Sequence, residues 1–280
     1  MNRFLAVALV LFAAGSVNAA EKKLDRTFAV SPGGTLVVDA DSASVRVSGN
    51  DTNQVTVRMK ARDSDENLAK MTLDAVQKAD GVTVTLRRER KSNWFNWGSW
   101  NSDQQIEVTV PRNYGVSVRT GGGSVDLRDT TGSATLRTSG GDISAKNVNG
   151  NIELRTSGGG ILADTIRGDV DADTSGGDVR LLNVDGKIRG NTSGGSVRCS
   201  LVGSNRGISA TTSGGDIELT LPRTVAGNVE ASTSGGDITT DIPVTSTVLK
   251  DDRLRGSFNG GGQPIEARTS GGNIRLRAAN

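Results

Sequence analysis

Ala134-Thr135-Leu136-Arg137-Thr138-Ser139-Gly140-Gly141-Asp142-Ile143 holds the pattern on which most of the chain is built. Ala134, Leu136 and Thr138 alternate with Thr135 and Arg137, a period of two that places the first set on one face of a strand. Ser-Gly-Gly breaks the run, and Ile143 restarts it with Ala145. The closing segment recurs as Thr-Ser-Gly-Gly-x-(Ile/Val), or a near variant, from Thr120, Thr138, Thr156, Thr174, Thr192, Thr212, Thr233 and Thr269. Such self-similarity marks a repeat architecture.

Aligning the copies produces columns. Before the corner, one column reads Val116, Ala134, Ile152, Val170, Ile188, Ile208, Val229, Ile265, and the next contains Val118, Leu136 and Leu154. After the corner come Val125, Ile143, Ile161, Val179, Val197, Ile217, Ile238 and Ile274, followed by a column with Leu127, Leu181, Cys199 and Leu219. Two short strands with one-sided apolar faces cannot bury themselves within one repeat. Stacked at about 4.8 Å, successive coils share one core and pair their backbones in parallel. The pattern predicts an all-β chain: a parallel β-solenoid, β-helix or β-roll-like, of about 18-residue coils. The glycines are expected to supply positive φ at both corners, the second marked by Gly132, Gly150, Gly168, Gly186, Gly207 and Gly227. The columns favour two main faces, and the spacing also allows a third short one at Val148, Ile166 and Val184.

Residues 20–110 lack the motif and read as a β-rich cap on the solenoid of residues 111–280. Strands are expected at 34–38, 44–48, 54–60, 82–88 and 105–110. A short helix is expected between Asp63 and Val76, where Leu68, Met71, Ala75 and Val76 stand at helical spacing. It would shield an open solenoid end.

Residues 1–19 show the plan of a signal peptide: Arg3, an apolar run from Phe4 to Ala14, and Val17-Asn18-Ala19 before a cut. The apolar run is too short to span a bilayer, and no later stretch is apolar for long enough. The chain reads as exported, to the periplasm or cell surface. Removing Arg3 changes a net charge of +2 (33 basic, 31 acidic) to +1 (32 against 31), which exerts no electrostatic pull on nucleic acid.

With these coils and the closing run Phe258-Asn259-Gly260-Gly261-Gly262-Gln263-Pro264-Ile265 in view, the chain resembles the bacterial β-strand-repeat family labelled "putative adhesin". The resemblance implies a bacterial envelope protein. It carries no binding site over to particular residues.

Histidine is absent, which removes His-based triads and the commonest metal ligand. The single cysteine, Cys199, falls in an inward column and reads as a core thiol. Asp142, Asp178, Asp216 and Asp237 at the motif's fifth position could bind Ca²⁺ or serve a glycosidase. Their place in a Gly-Gly turn fits local backbone hydrogen bonding better, and no cofactor is called for. Two features suit binding. Trp94, Phe95, Trp97 and Trp100 lie between two strands, as an exposed recognition loop or as a plug over the solenoid end. Arg119, Arg137 and Arg155 form an outward column that could attract an anionic polymer, although Glu153, Asp171 and Asp173 lie close enough to make it a mixed-charge face. The leading reading is a non-catalytic scaffold or adhesin-like binder of another envelope protein or polymer. The alternatives are an enzyme acting on envelope polysaccharide and a calcium-dependent secreted structural module.

Overall fold

A computed structural model describes residues 20–89 and 103–279. The signal segment expected at residues 1–19 therefore lies outside the described residues. The N-terminal part contains β1 (Ala20–Ala29), β2 (Thr35–Ala40), β3 (Ser44–Asn50), β4 (Gln54–Asp63), helix α1 (Asp65–Ala69), β5 (Met71–Lys78), β6 (Gly81–Arg88) and β7 (Asp103–Pro111). Short strands then come in pairs around the Thr-x-Gly-Gly corners: β8 (Gly115–Thr120) and β9 (Val125–Thr131), β10 (Ala134–Arg137) and β11 (Ile143–Asn149), β12 (Ile152–Arg155) and β13 (Ile161–Arg167). Next come β14 (Val170–Asp173) and β15 (Val179–Asp185), β16 (Ile188–Asn191) and β17 (Val197–Leu201), β18 (Ile208–Thr211) and β19 (Ile217–Leu221), and β20 (Gly227–Ser232) and β21 (Ile238–Thr240). The hairpin β22 (Thr245–Lys250) and β23 (Arg253–Phe258) precedes the last pair, β24 (Pro264–Arg268) and β25 (Ile274–Ala278).

The strands build two facing sheets. One has 12 strands in the order β1-β4-β7-β3-β9-β11-β13-β15-β17-β19-β25-β21; the other has 13, in the order β22-β23-β20-β24-β18-β16-β14-β12-β10-β8-β2-β6-β5. Parallel register sets Ile143 opposite Ile161 and Ile161 opposite Val179, so the sequence columns become rows of touching side chains. One continuous core runs from Leu36 to Leu276. Val148, Ile166 and Val184 belong to the first sheet rather than to a third face. Each follows a residue with positive φ, Asn147, Thr165 or Asn183, and that extra residue turns the next side chain inward again.

The two sheets also take in strands from before residue 111. β2 pairs with β8 and β3 with β9, both in parallel, so the same two sheets continue into the N-terminal part without a break. The helix is shorter than expected: five residues, capped by Ser64, whose hydroxyl accepts from Asn67 N at 3.4 Å. Met71, Ala75 and Val76 lie instead in β5, antiparallel to β6. Met71 and Ala75 satisfy a period of two as well as a helical spacing, Leu73 falls between them on the alternating face, and the open edge of β6 supplies the backbone partners. β1 carries Lys22 and Arg26 toward the inside, where they close the gap between the sheets. Lys22 Nζ donates to Met71 O at 2.5 Å, and Arg26 pairs with Asp74 at 2.8 Å while donating to Ala75 O. Inward charges on an edge strand also discourage pairing with another chain.

Candidate functional site

The Thr-Ser-Gly-Gly-Asp corner concentrates polar groups in rows, and hydrogen bonds between coils consume them. Seven buried threonine hydroxyls of the repeated motif donate to the carbonyl of the glycine that closes the corner in the neighbouring coil. Thr138, Thr156, Thr174, Thr192 and Thr212 do so at 2.7–3.0 Å, and Thr233 and Thr269 join at 2.8 and 2.9 Å. The aspartates serve the adjacent coil: Asp142 accepts from Gly160 N at 2.8 Å, Asp178 from Ser196 N at 2.9 Å, and Asp216 from Asn273 N at 2.7 Å. Among the described residues no three His, Cys, Asp or Glu side chains gather as metal ligands.

The two corners use glycine for different reasons. At the second, Gly132, Gly150, Gly168 and Gly207 have the expected positive φ, whereas Gly186 and Gly227 do not. At the motif corner only Gly123 has positive φ, contrary to the expectation from sequence. There the second glycine lies against backbone: a Cβ on Gly141 would sit 2.0 Å from Gly123 O, and one on Gly177 2.5 Å from Gly159 O. Close stacking of corners, rather than backbone dihedral, excludes a side chain.

Cys199 is buried between Leu181 and Leu219, and burial pushes its thiol up to about 12, so it is not a thiolate nucleophile at neutral pH. The arginine column forms as a ladder, with Arg119 opposite Arg137 and Arg137 opposite Arg155. Arg137 pairs with Glu153 at 2.8 Å, and Arg155 reaches Glu153 at 2.5 Å and Asp171 at 3.5 Å. Hydrogen bonds from Arg155 and then Arg137 hold the Glu153 carboxyl below its ordinary pKa. Arg119 is exposed and makes no ion pair with the described residues; its ladder neighbour Asp39 is engaged by Arg87 at 2.5 Å. Trp94, Phe95, Trp97 and Trp100 lie outside the described residues. The strand that precedes them is anchored at its end, with Arg88 paired to Asp63 at 2.5 Å and Glu89 N donating to Lys70 O at 2.8 Å.

A shallow depression of about 130 Å³ lies on the outer face of β3, β4 and β7, lined by residues including Arg46, Arg58 and Glu107. The sequence carries no signal for it, because β7 follows β4 only after α1, β5 and β6 and then joins it in antiparallel fashion. The Arg46–Glu107 pair, 3.2 Å apart, spans it.

A filled two-sheet stack with ion-paired outer faces defines a repeat scaffold. Residues 34–277 match the model of the Toastrack DUF4097 family, and the chain belongs to that family. The matched span begins at β2, ahead of the first Thr-x-Gly-Gly corner, as the unbroken sheets require. A crystal structure of a "putative adhesin" from Bacteroides fragilis is similar with a TM-score of 0.50 at 13% identity, over 93% of this chain and 100% of the other. A "putative lipid binding protein" from Parabacteroides distasonis is similar with a TM-score of 0.52 at 13% identity, over 94% and 99%. At that identity the likeness concerns the fold. No curated protein matches the chain.

Proposed function

We propose that this protein is an exported envelope scaffold, periplasmic or at the cell surface, that binds another envelope protein or polymer without catalysing a reaction. The observation that carries the reading is the use of the repeated polar groups: threonines and aspartates join coil to coil, and the outer rows neutralise one another. What remains for recognition is two long faces and the features at their N-terminal end. Residues 1–19 would direct export. Binding would run through Trp94, Phe95, Trp97 and Trp100, with Arg119, the ladder member without an ion pair among the described residues, adding a positive contact beside Arg137 and Arg155.

The test is retention of the purified mature chain on native envelopes. Replacing Trp94, Trp97 and Trp100 together by Ser should abolish retention and leave the melting transition unchanged, and Arg119→Glu should weaken it. Full retention by the triple variant would remove the tryptophan segment from the reading. Release of soluble fragments from envelope polysaccharide would replace the scaffold with an enzyme, and a melting temperature that rises with Ca²⁺ would favour the calcium-dependent module.

A further inference from the structure

The last coil in the chain is not the last coil in the stack. β24 and β25 lie between β18/β19 on one side and β20/β21 on the other, although β20 and β21 precede them in sequence. Ile274 to Ala278 run opposite Ile217 to Leu221, and Ala279 N donates to Leu221 O at 2.8 Å. On the other side Ile238 to Thr240 run opposite Ile274 to Leu276. Threonine hydroxyls fasten both sides: Thr269 to Gly215 O at 2.9 Å, and Thr233 to Gly272 O at 2.8 Å. The turn entering the coil, Asn259 to Gly262, has positive φ throughout. It is pinned by Asn259 Nδ2 to Val225 O at 2.8 Å and by Asn228 Nδ2 to Gly262 O at 2.9 Å. The hairpin β22/β23 then covers the outer edge of β20.

We infer that the interleaved coil is a mechanical lock, which lets the chain bear pull at the point where it leaves β25. Terminal coils of a solenoid touch one neighbour and fray first. Here the strand nearest that exit has a neighbour on each side, so a pull applied after Ala278 must break two ladders together. Strands β20 to β23 act as the bolt. They are joined to the stack through β19 and cannot be lifted away without opening the turn at Asn259 to Gly262. Resistance to pull at this end does not depend on which envelope component is bound.

Single-molecule pulling tests it, with one handle after Asn280 and the other on Ser157→Cys, an exposed corner residue, while buried Cys199 stays unlabelled. The comparison is a variant lacking residues 227–262, which joins Ala226 to Gln263 and makes the same coil terminal. Wild type should rupture in one event at several-fold higher force, and the deletion variant should peel coil by coil. Equal forces, with β25 peeling first in both, would overturn the lock. Should the deletion variant fail to fold, amide exchange of the wild type decides: β25 amides are expected to exchange at least about tenfold more slowly than those of β22 and β23, and the reverse order overturns the inference.

Discussion

Gly140 and Gly141 are neighbours in one corner, yet the space around them differs completely. A Cβ at Gly140 meets nothing within 4 Å, whereas one at Gly141 would sit 2.0 Å from Gly123 O, a backbone atom that cannot rotate away. Gly140→Ala should leave the melting temperature unchanged, and Gly141→Ala should cost about 1–3 kcal/mol or more as adjoining corners are forced apart. Thermal melts of the two variants check this, and equal behaviour would dismiss the close-stacking account of the motif. The threonine just before the corner makes the complementary case. Thr174→Val keeps the shape but deprives Gly159 O of a hydroxyl 2.8 Å away, in a row that is otherwise buried. The expected loss is about 1–3 kcal/mol in denaturant unfolding, and an unchanged midpoint would show that the hydroxyl row contributes nothing. Both residue types are visible in the sequence as a motif. Their purpose is not, because it depends on the carbonyl of a different coil.

Alternation makes the strands themselves the most legible level. Leu181 is fully buried and Arg180, one residue away, is exposed and paired with Asp178 at 2.9 Å. Leu181→Asp should destabilise by several kcal/mol, and Arg180→Asp by no more than about 0.5 kcal/mol; urea unfolding of both separates them. β1 was harder to read because its inward positions include Lys22 and Arg26, which are charged for the sake of closing an edge. Helix α1 reads as longer in the sequence than it is because a spacing of three and four residues cannot be told from alternation when both share Met71 and Ala75. The end of that helix also carries a pH-sensitive clamp. Burial raises the Asp63 pKa, but hydrogen bonds from Asn67 and Ser64 N together with Arg88 outweigh it and bring the net value below the ordinary one. A depressed carboxyl contributes stability above its unfolded pKa and loses it as pH falls through the folded one. Acidification from about pH 5 to 2 should therefore destabilise wild type more than Asp63→Asn. Parallel acid limbs in melting temperature against pH would remove the clamp.

At the scale of the molecule, the columns announced a stack but not its order. The coils at Thr233 and Thr269 carry the same motif, and nothing local distinguishes which rests on β19. The structure places Leu276 opposite Leu219, and the shorter β21, with Thr240 at that level, lies farther out. At the other end β2 and β3 likewise enter between β6/β7 and β8/β9. Between these interleaved ends, coils follow chain order, and the stack should accept the loss of one whole unit. Hydrogen bonds such as Asp142 to Gly160 N join residues 18 apart. Deleting residues 143–160 would join Asp142 to Ile161 and bring Ile161 opposite Val125, with Ala163 opposite Leu127 and Thr174 replacing Thr156 at the corner. Each substitute belongs to the same inward column as the residue it replaces, so no polar group enters the core and no row is broken. Solenoid stability is roughly a sum over coils and their interfaces, so the shortened protein should fold with its strand signal intact and a modestly lower melting temperature. Deleting residues 143–151, half of that span, puts Ile152 where Ile143 stood but then offers Leu154, Thr156 and the Ser157-Gly158-Gly159 corner where the first sheet needs an uninterrupted strand, and it should yield no cooperative transition. Circular dichroism and calorimetry of the two deletions decide the matter: a shortened chain that fails to fold, or a half-coil deletion that melts as sharply as the wild type, would mean that the coils are not the interchangeable units their register describes.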